Sequence, residues 1–225
     1  MNSKNHKVLR VYRTKAQAKE SYDKISRFYD YFAGVFEKKY RNMVLDRLNL
    51  EREEIVLEIG FGTGHCLKQM AESVGENGKV YGIDISSGML EVSKKKLEEA
   101  GLLDRVELYC GDGLKMPCKD NKFDAVFMSF TLELFDTPEI PKVLNKIKRI
   151  LKPNGRLGVV SMSKEDGDSI LLRLYEWTHK KFPQYVDCRP IYLEKSIKDA
   201  GFKIEYRKKV KLFGLPGAVV IGIKK

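Results

Sequence analysis

The sequence predicts an α/β fold built on a doubly wound, mostly parallel sheet with helices on both faces. Short apolar runs alternate with amphipathic segments of helical length along most of the chain. The first apolar run leads through a glycine-rich turn into a helical segment, and the second ends in an aspartate. Such alternation is typical of parallel sheets, because two parallel strands must be joined by a long crossover that is usually a helix.

The glycine-rich turn of residues 55–64, IVLEIGFGTG, is the stretch around which the chain is organised. Its first five residues are apolar except Glu58, which is typical of a strand buried on both faces. Gly60, Gly62 and Gly64 then alternate into a helix, and glycine lets the backbone turn sharply and lets a ligand approach it. A strand, a glycine turn and a helix N-terminus form a nucleotide-binding crevice.

The spacing of this turn separates it from dinucleotide sites. In the G-x-G-x-x-G fingerprint the third glycine comes one residue later than here. The carboxylate of Glu58 would repel a pyrophosphate, whereas it suits a cationic ligand. The pattern Glu-x-Gly-x-Gly-x-Gly resembles the first motif of the class I S-adenosylmethionine (AdoMet) methyltransferases, whose cofactor carries an ammonium and a sulfonium. Two alternatives are less favoured: a dinucleotide site, and a glycine turn that binds no ligand.

The N-terminal region predicts a helical lid. Apolar and aromatic residues recur at helical spacing from about Lys15 to Leu50, and Gly34 divides the stretch. The part around Tyr22 and Tyr29 resembles the YD-x-x-A-x-x-YD entry helix of many small-molecule methyltransferases, which lies over the cofactor. The resemblance implies cofactor contacts for both tyrosines. The alternative is that they pack on the core, since residues seven apart share one helical face.

The second strand, from Lys79, ends in Asp84. An acidic residue about 20 positions after the glycine turn is where the adjacent strand presents a carboxylate to a ribose hydroxyl pair. We therefore assign Asp84 to the ribose and place Ile85 and Met89 beside it. Ser86 or Ser87 caps the helix that follows.

The third strand, from Arg105 to Cys110, precedes a second acidic turn at Gly111-Asp112-Gly113. Resemblance to the methyltransferases assigns Asp112 to the exocyclic amine of adenine, with the Gly113 backbone nearby. The chemistry agrees, because a carboxylate accepts hydrogen bonds and the amine donates them. An aspartate that merely stabilises the turn is the alternative.

The fourth strand, from Phe123 to Phe130, is apolar enough to be central in the sheet. Ligands of open α/β sheets bind beyond the carboxyl ends of the strands, so Ser129 to Glu133 should face the methyl group and its acceptor. We assign Ser129 to the cofactor and Glu133 to catalysis, as a group that accepts a proton or hydrogen bond from the acceptor. A helix from Pro138 to Leu151 and a fifth strand from Leu157 to Met162 follow.

Residues 163–190 interrupt the alternation and should shape the acceptor pocket. His179 is a candidate general base because imidazole titrates near neutrality, although a surface histidine on a helix is favoured over it. Residues 191–200 predict a helix. Two strands, 202–213 and 218–224, then form a closing hairpin across 214–217.

The resemblance to methyltransferases extends from about Tyr22 to Gly201. The segments LEIGFGTG, GIDIS-x-GML and RILKPNGRL are similar to those of ubiquinone- and menaquinone-biosynthesis methyltransferases and their relatives acting on lipids and small molecules. The resemblance implies a Rossmann-like, seven-stranded sheet with an antiparallel C-terminal hairpin strand. It also implies AdoMet-dependent methyl transfer to a small-molecule or lipid acceptor. An in-line displacement needs alignment and exclusion of water rather than a metal, so no metal site is expected.

One departure bears on the acceptor. Quinone enzymes typically continue the fourth strand with G-L-R-N, whereas this chain has Thr131-Leu132-Glu133-Leu134. The departure disfavours C-methylation of a quinone and favours an amine or hydroxyl acceptor, such as a phospholipid amine head group. A nucleic-acid methyltransferase is the first alternative, but the Asn/Asp-Pro-Pro-Tyr/Phe signature of N-methylating enzymes is missing after the fourth strand. A non-catalytic AdoMet-binding regulator is the second.

Length and charge indicate the domain organisation and the kind of surface that the protein could bind. The 225 residues predict a lid region, 1–50, and one methyltransferase domain, 51–225, in which 163–190 is an insertion. Scattered cysteines and the lack of an apolar leader or membrane span predict a cytoplasmic protein with reduced thiols. The net charge of +11 is concentrated near both ends, which favours an anionic membrane surface over nucleic acid. An ordinary solvated surface is equally compatible, and the oligomeric state stays open.

Overall fold

The computed structural model describes residues 8–26, 29, 35–165, 170–182, 186–212 and 214–225. Its strands are β1 Ile55–Ile59, β2 Lys79–Asp84, β3 Val106–Cys110, β4 Phe123–Ser129, β5 Leu151–Met162, β6 Phe202–Leu212 and β7 Leu215–Lys224. Its α-helices in the described residues are α1 Lys15–Ile25, α2 Val35–Leu48, α3 His65–Val74, α4 Ser87–Glu99, α5 Ile140–Ile150, α6 Ile170–Lys181 and α7 Leu193–Asp199. The helix break predicted at Gly34 lies outside the described residues.

The seven strands form one sheet in the order β3-β2-β1-β4-β5-β7-β6. Strands β1 to β5 pair in parallel, while β7 lies between β5 and β6 and is antiparallel to both. This topology confirms the predicted mostly parallel sheet with an antiparallel C-terminal strand. The strand order reverses between β1 and β4, and such a switch point is where open α/β sheets bind ligands.

Two apolar layers cover the sheet. One includes Leu48 of α2, Leu67 of α3 and Leu97 of α4. The other includes Leu144 of α5 and Ile197 of α7. Helices therefore lie on both faces, and the carboxyl ends of β1 to β4 remain open to a ligand. No helix among the described residues is both long and apolar enough to cross a membrane.

Two predicted strand starts are wrong by more than two residues. Strand β5 begins at Leu151 rather than Leu157, because buried Leu151 pairs with Phe123 of β4 before the ladder shifts register. Asn154, with φ 62°, lies within the strand where the register of the β4–β5 ladder shifts. Strand β7 begins at Leu215 rather than Ala218, because Leu215 pairs with Leu212 across a turn that is shorter than predicted.

Candidate active site

A cleft of about 490 Å³ lies at the switch point of the sheet. Its walls come from the turn after β1, the ends of β2, β3 and β4, helix α1 and the segment before α1. Ten of the residues predicted to bind the cofactor line it: Tyr22, Tyr29, Gly60, Gly62, Asp84, Ile85, Met89, Asp112, Gly113 and Ser129. The fold thus brings predicted cofactor-binding residues from separate segments of the chain to one cavity. Glu58, Gly64, Glu133 and His179 do not line this cleft.

Gly62 forms the floor of the cleft. Its φ is +53°, and a Cβ built on it would meet no atom within 4 Å. Any side chain there would therefore occupy ligand space. At position 60 only glycine fits the packing of the turn, because a Cβ there would lie 2.2 Å from Thr131 Oγ1. Gly64 faces away from the cleft, toward Ser93 of α4.

Glu58 lies beneath the glycine turn and is only 2% exposed. Its Oε2 atom has no hydrogen-bond partner among the described residues, and neither has Ser129 Oγ in the cleft wall. Burial raises the pKa of Glu58 well above its usual range; Arg41 opposes this shift and Asp84 adds to it. Buried polar atoms are normally paired, so the orphaned Ser129 oxygen in the cleft wall fits a site that completes its hydrogen bonds with a ligand.

Asp84 is held at the end of β2 by backbone amides. Gly62 N donates to its Oδ2 at 2.9 Å, and Ser86 N donates to its Oδ1 at 2.9 Å. Each carboxylate oxygen can accept a second hydrogen bond, which fits a pair of ribose hydroxyls. Burial raises the pKa of Asp84, and the backbone hydrogen bonds act against that shift.

Asp112, after β3, is fixed by Leu114 N at 3.0 Å and by Lys15 Nζ at 2.8 Å. Lys15 also donates to Glu139 at 2.7 Å and so joins α1 to two loops at the mouth of the cleft. Burial lowers the pKa of Lys15, but its hydrogen bonds to both carboxylates outweigh this and leave the pKa raised. Lysine at this point was not predicted from the sequence.

Helix α1 forms a wall of the cleft because it is anchored to α4. The helix begins at a capping box, in which Thr14 and Gln17 bond each other's backbone amides. Asp23 then accepts hydrogen bonds from Gly88 N at 2.9 Å and Ser86 Oγ at 2.6 Å, at the start of α4. Burial would raise the pKa of Asp23, but these bonds and Lys19 lower it overall. The anchor holds Tyr22 in the cleft wall.

A second anchor joins α1 to the segment after α6. Tyr22 donates its hydroxyl proton to Asp187, and Arg13 pairs with the same carboxylate. The Arg13 guanidinium also stacks over the Tyr22 ring, 5.1 Å from its centroid. Burial raises the pKa of Tyr22 well above its usual range, and Asp187 adds to this shift. This cluster was not predictable from the sequence, because Asp187 lies far along the chain from Tyr22 and outside any recognisable motif.

The strap, residues 8–14, crosses from α6 to the loop after β4. Arg10 pairs with Asp136, and Val11 N donates to the same carboxylate at 3.1 Å. Thr137 Oγ1 donates to Leu9 O at 3.0 Å. The hydrogen bond from Arg10 lowers the pKa of Asp136 to about 2. Val11 and Arg13 of the strap thereby become part of the cleft wall.

The two candidate catalytic residues lie elsewhere. Glu133 is fully buried, and its Oε1 accepts a hydrogen bond from Met162 N at 3.1 Å. Burial raises the pKa of Glu133 to about 8. His179 is 1% exposed and faces Val186 O at 2.7 Å, so the alternative of a surface histidine is wrong. The ring is enclosed because α6 packs its inner face against the strap, whose Arg10 O lies 3.5 Å from Nε2.

Comparison with known proteins identifies the family. Residues 56–155 match the model of a methyltransferase domain. The demethylmenaquinone methyltransferase of Symbiobacterium thermophilum is 32% identical over 200 residues, covering 82% of this chain and 78% of that protein. That of Geobacillus kaustophilus is 35% identical over 138 residues, covering 60% of this chain and 58% of the relative.

Solved structures agree on the fold. A SAM-dependent methyltransferase from Aquifex aeolicus has a TM-score of 0.64 and 25% identity, covering 92% of this chain and 98% of its own. The [4+2]-cyclase SpnF has a TM-score of 0.74, with coverage of 96% and 98%, but its 20% identity shows only the fold. These relatives show an enzyme that transfers a methyl group from AdoMet. The chain belongs to the class I AdoMet-dependent methyltransferases of the menaquinone and ubiquinone type.

Proposed function

We propose that the methyl acceptor is a quinone-type compound, an aromatic ring with hydroxyl groups that is methylated on carbon. The observation that carries this proposal is the composition of the cleft wall beyond Ser129. That wall is largely apolar and aromatic: Val11, Tyr22, Phe130, Leu134, Phe135 and Pro138. A flat apolar ring fits such a surface. The name of the curated relatives, demethylmenaquinone methyltransferase, supports the same class.

The cofactor takes the other half of the cleft in this proposal. Asp84 accepts hydrogen bonds from the ribose hydroxyls, and Asp112 with the Gly113 backbone binds the adenine amine. Ile85 and Met89 pack against the adenosine. Gly60, Gly62 and Ser129 face the methionine part, with Tyr29 in the opposite wall, while Glu58 and Gly64 support the turn from behind.

AdoMet supplies an activated methyl group on a positively charged sulfur. The methyl group would pass from the sulfur to a ring carbon of the acceptor, the sulfur would keep the electron pair of the broken bond, and the ring proton would pass to solvent. The protein must align the two reactants and exclude water.

Tyr22 suits a hydroxylated acceptor. Because Tyr22 donates its own proton to Asp187, its oxygen remains able to accept a hydrogen bond from an acceptor hydroxyl. Arg13 keeps Asp187 paired and in place. The three side chains therefore form the polar group that orients the acceptor against the apolar wall.

The amine acceptor favoured by the sequence loses its main support. That reading relied on Glu133 beside the acceptor, whereas Glu133 is buried and does not line the cleft. The segment Thr131–Leu134 still differs from the G-L-R-N of quinone enzymes. The comparisons offer no support for a nucleic-acid methyltransferase or a non-catalytic AdoMet-binding protein.

An acceptor screen tests the proposal. The enzyme is incubated with AdoMet and either a reduced demethylnaphthoquinone of short side chain or phosphatidylethanolamine. We expect S-adenosylhomocysteine release and a ring-methylated product, seen by mass spectrometry, only with the naphthoquinol. Release with the amine lipid alone would contradict the proposal.

A further inference from the structure

Helix α6 carries an apolar face that the rest of the described protein leaves uncovered. Ile170, Leu174 and Trp177 are 87%, 56% and 53% exposed. They are spaced at i, i+4 and i+7 and so form one stripe along the helix. Leu171 and Phe182, at 48% each, widen this surface. Contiguous exposed apolar residues of this kind mark interaction sites.

The opposite face of α6 is packed as expected for a helix in a folded domain. Leu172 and His179 are buried there, and the Tyr175 hydroxyl donates to Cys188 O at 3.1 Å. Burial of this face fixes the orientation of the helix. The exposure of the other face therefore follows from the packing of α6 on the protein.

The charge around the stripe is positive. Arg173, Lys180 and Lys181 are exposed on α6. Glu176 is the single acidic residue of the helix, and it turns inward to pair with buried Lys164. The β6–β7 turn adjoins α6, since a Cβ at Gly214 would lie 3.5 Å from Leu171 Cδ2. Strand β6, which enters this turn, contributes further basic residues.

From these observations we infer that the outer face of α6 docks on an anionic phospholipid surface. An apolar stripe with tryptophan and flanking basic residues is the pattern of a helix that lies in the plane of a membrane interface. Each basic residue near an anionic surface adds to the attraction. A second copy of this chain is a poorer occupant, because its own α6 would bring the same positive charge to the contact.

The buried face of α6 contacts the strap that helps to line the cleft. The ring of Tyr12, in the strap, lies 5.8 Å from the ring of His179 in α6. Tyr12 is itself 45% exposed, and its neighbours Val11 and Arg13 line the cleft. The strap therefore packs on the face of α6 opposite the proposed docking face. The inference rests on α6 and does not depend on which acceptor the enzyme methylates.

Trp177 provides a direct test because it is the only tryptophan in the chain. Full-length protein is titrated with vesicles of phosphatidylcholine alone or of phosphatidylcholine mixed with phosphatidylglycerol, and Trp177 emission is recorded. We expect a blue shift with the mixed vesicles that weakens as salt is added. No shift, or an equal shift with both vesicles, would overturn the inference.

Matched variants separate docking from folding. The double variant Ile170→Ser/Leu174→Ser keeps Trp177 and should weaken vesicle binding at least about tenfold. Tyr109→Ser, which alters an exposed aromatic residue on β3, should bind vesicles as the wild type does. AdoMet affinity should be unchanged in both variants, which checks the fold. A blue shift that follows protein concentration without lipid would show self-association and overturn the inference.

Discussion

At the residue scale, Asp84 carries the strongest expectation for cofactor binding. Its carboxylate is fixed by two backbone amides and faces the cleft. Asp84→Ala should weaken AdoMet binding roughly 10- to 100-fold, because a hydrogen bond to a charged group contributes about 1.5–3 kcal/mol. Calorimetry measures the affinity, and Asp120→Ala, which removes an exposed carboxylate, is the control. Unchanged affinity in Asp84→Ala would refute the ribose assignment.

Gly62 lines the cleft, and Gly101, which does not, is its matched control. Both have positive φ, +53° and +67°, and a Cβ on either would meet nothing within 4 Å. Alanine should therefore cost each site about 1 kcal/mol of stability. Only the Gly62→Ala methyl would occupy the cleft, so only that variant should lose AdoMet affinity in calorimetry. Equal affinities in the two variants would place the cofactor away from Gly62.

The raised pKa of Glu133 predicts that the stability of the folded protein depends on pH. Its folded pKa of about 8 lies above the ordinary value of 4.5, so the folded state holds a proton that the unfolded state has lost between these values. Its contribution to stability is therefore full below about pH 4.5 and is lost as pH rises to about 8, by at most about 1.4 kcal/mol per pH unit.

Glu133→Gln should remove that dependence. We expect the melting temperature of the variant to gain on the wild type as pH rises from 5 to 8, with turnover at neutral pH retained. A pH-independent difference would contradict the raised pKa. Loss of turnover with unchanged AdoMet affinity and stability would instead assign Glu133 a direct role in catalysis.

Local sequence patterns were sufficient for some of these residues and not for others. Asp84 and Asp112 could be placed because the carboxyl ends of neighbouring parallel strands meet at one edge of the sheet. Glu133 could not, because a single 3₁₀ turn over Leu132–Leu134 sends Leu134 to the cleft and Glu133 into the core. The position of Asp187 beside Tyr22 depends on how the segment after α6 packs against the strap, and no local sequence pattern encodes that packing.

At the element scale, the attachment of α1 to α4 decides whether the cleft has its outer wall. Asp23→Ala removes the hydrogen bonds to Gly88 N and Ser86 Oγ. Hydrogen exchange of residues 15–25 should then quicken roughly tenfold or more. Glu20→Ala, which alters an exposed carboxylate on the same helix, should leave exchange unchanged. Equal exchange in the two variants would mean that other contacts hold α1.

Strand and helix identities were predictable wherever apolar periodicity was strong. The errors fell on β5 and β7, where turn-forming residues such as Pro153, Gly155 and Gly217 lie within paired strands. Burial of Leu151 and Leu215 overrides these local signals, since tertiary packing outweighs propensity. The exposed stripe of α6 was also not predictable, because periodicity alone does not say which side of a helix the protein covers.

At the scale of the whole molecule, the sheet gathers the functional side chains at one edge and leaves charge at its periphery. The net charge of +11 includes five basic residues on β6, one of the two edge strands of the sheet. Lysine on an edge strand protects it from pairing with another chain. Together with α6, it also gives this side of the protein an attraction to anionic surfaces.

A crystal structure with S-adenosylhomocysteine tests the central claim most directly. We expect the ligand in the cleft above Gly62, with its ribose hydroxyls on Asp84, its adenine amine near Asp112 and its sulfur facing the apolar wall beyond Ser129. A ligand bound elsewhere, or in this cleft with its ribose away from Asp84, would contradict the account.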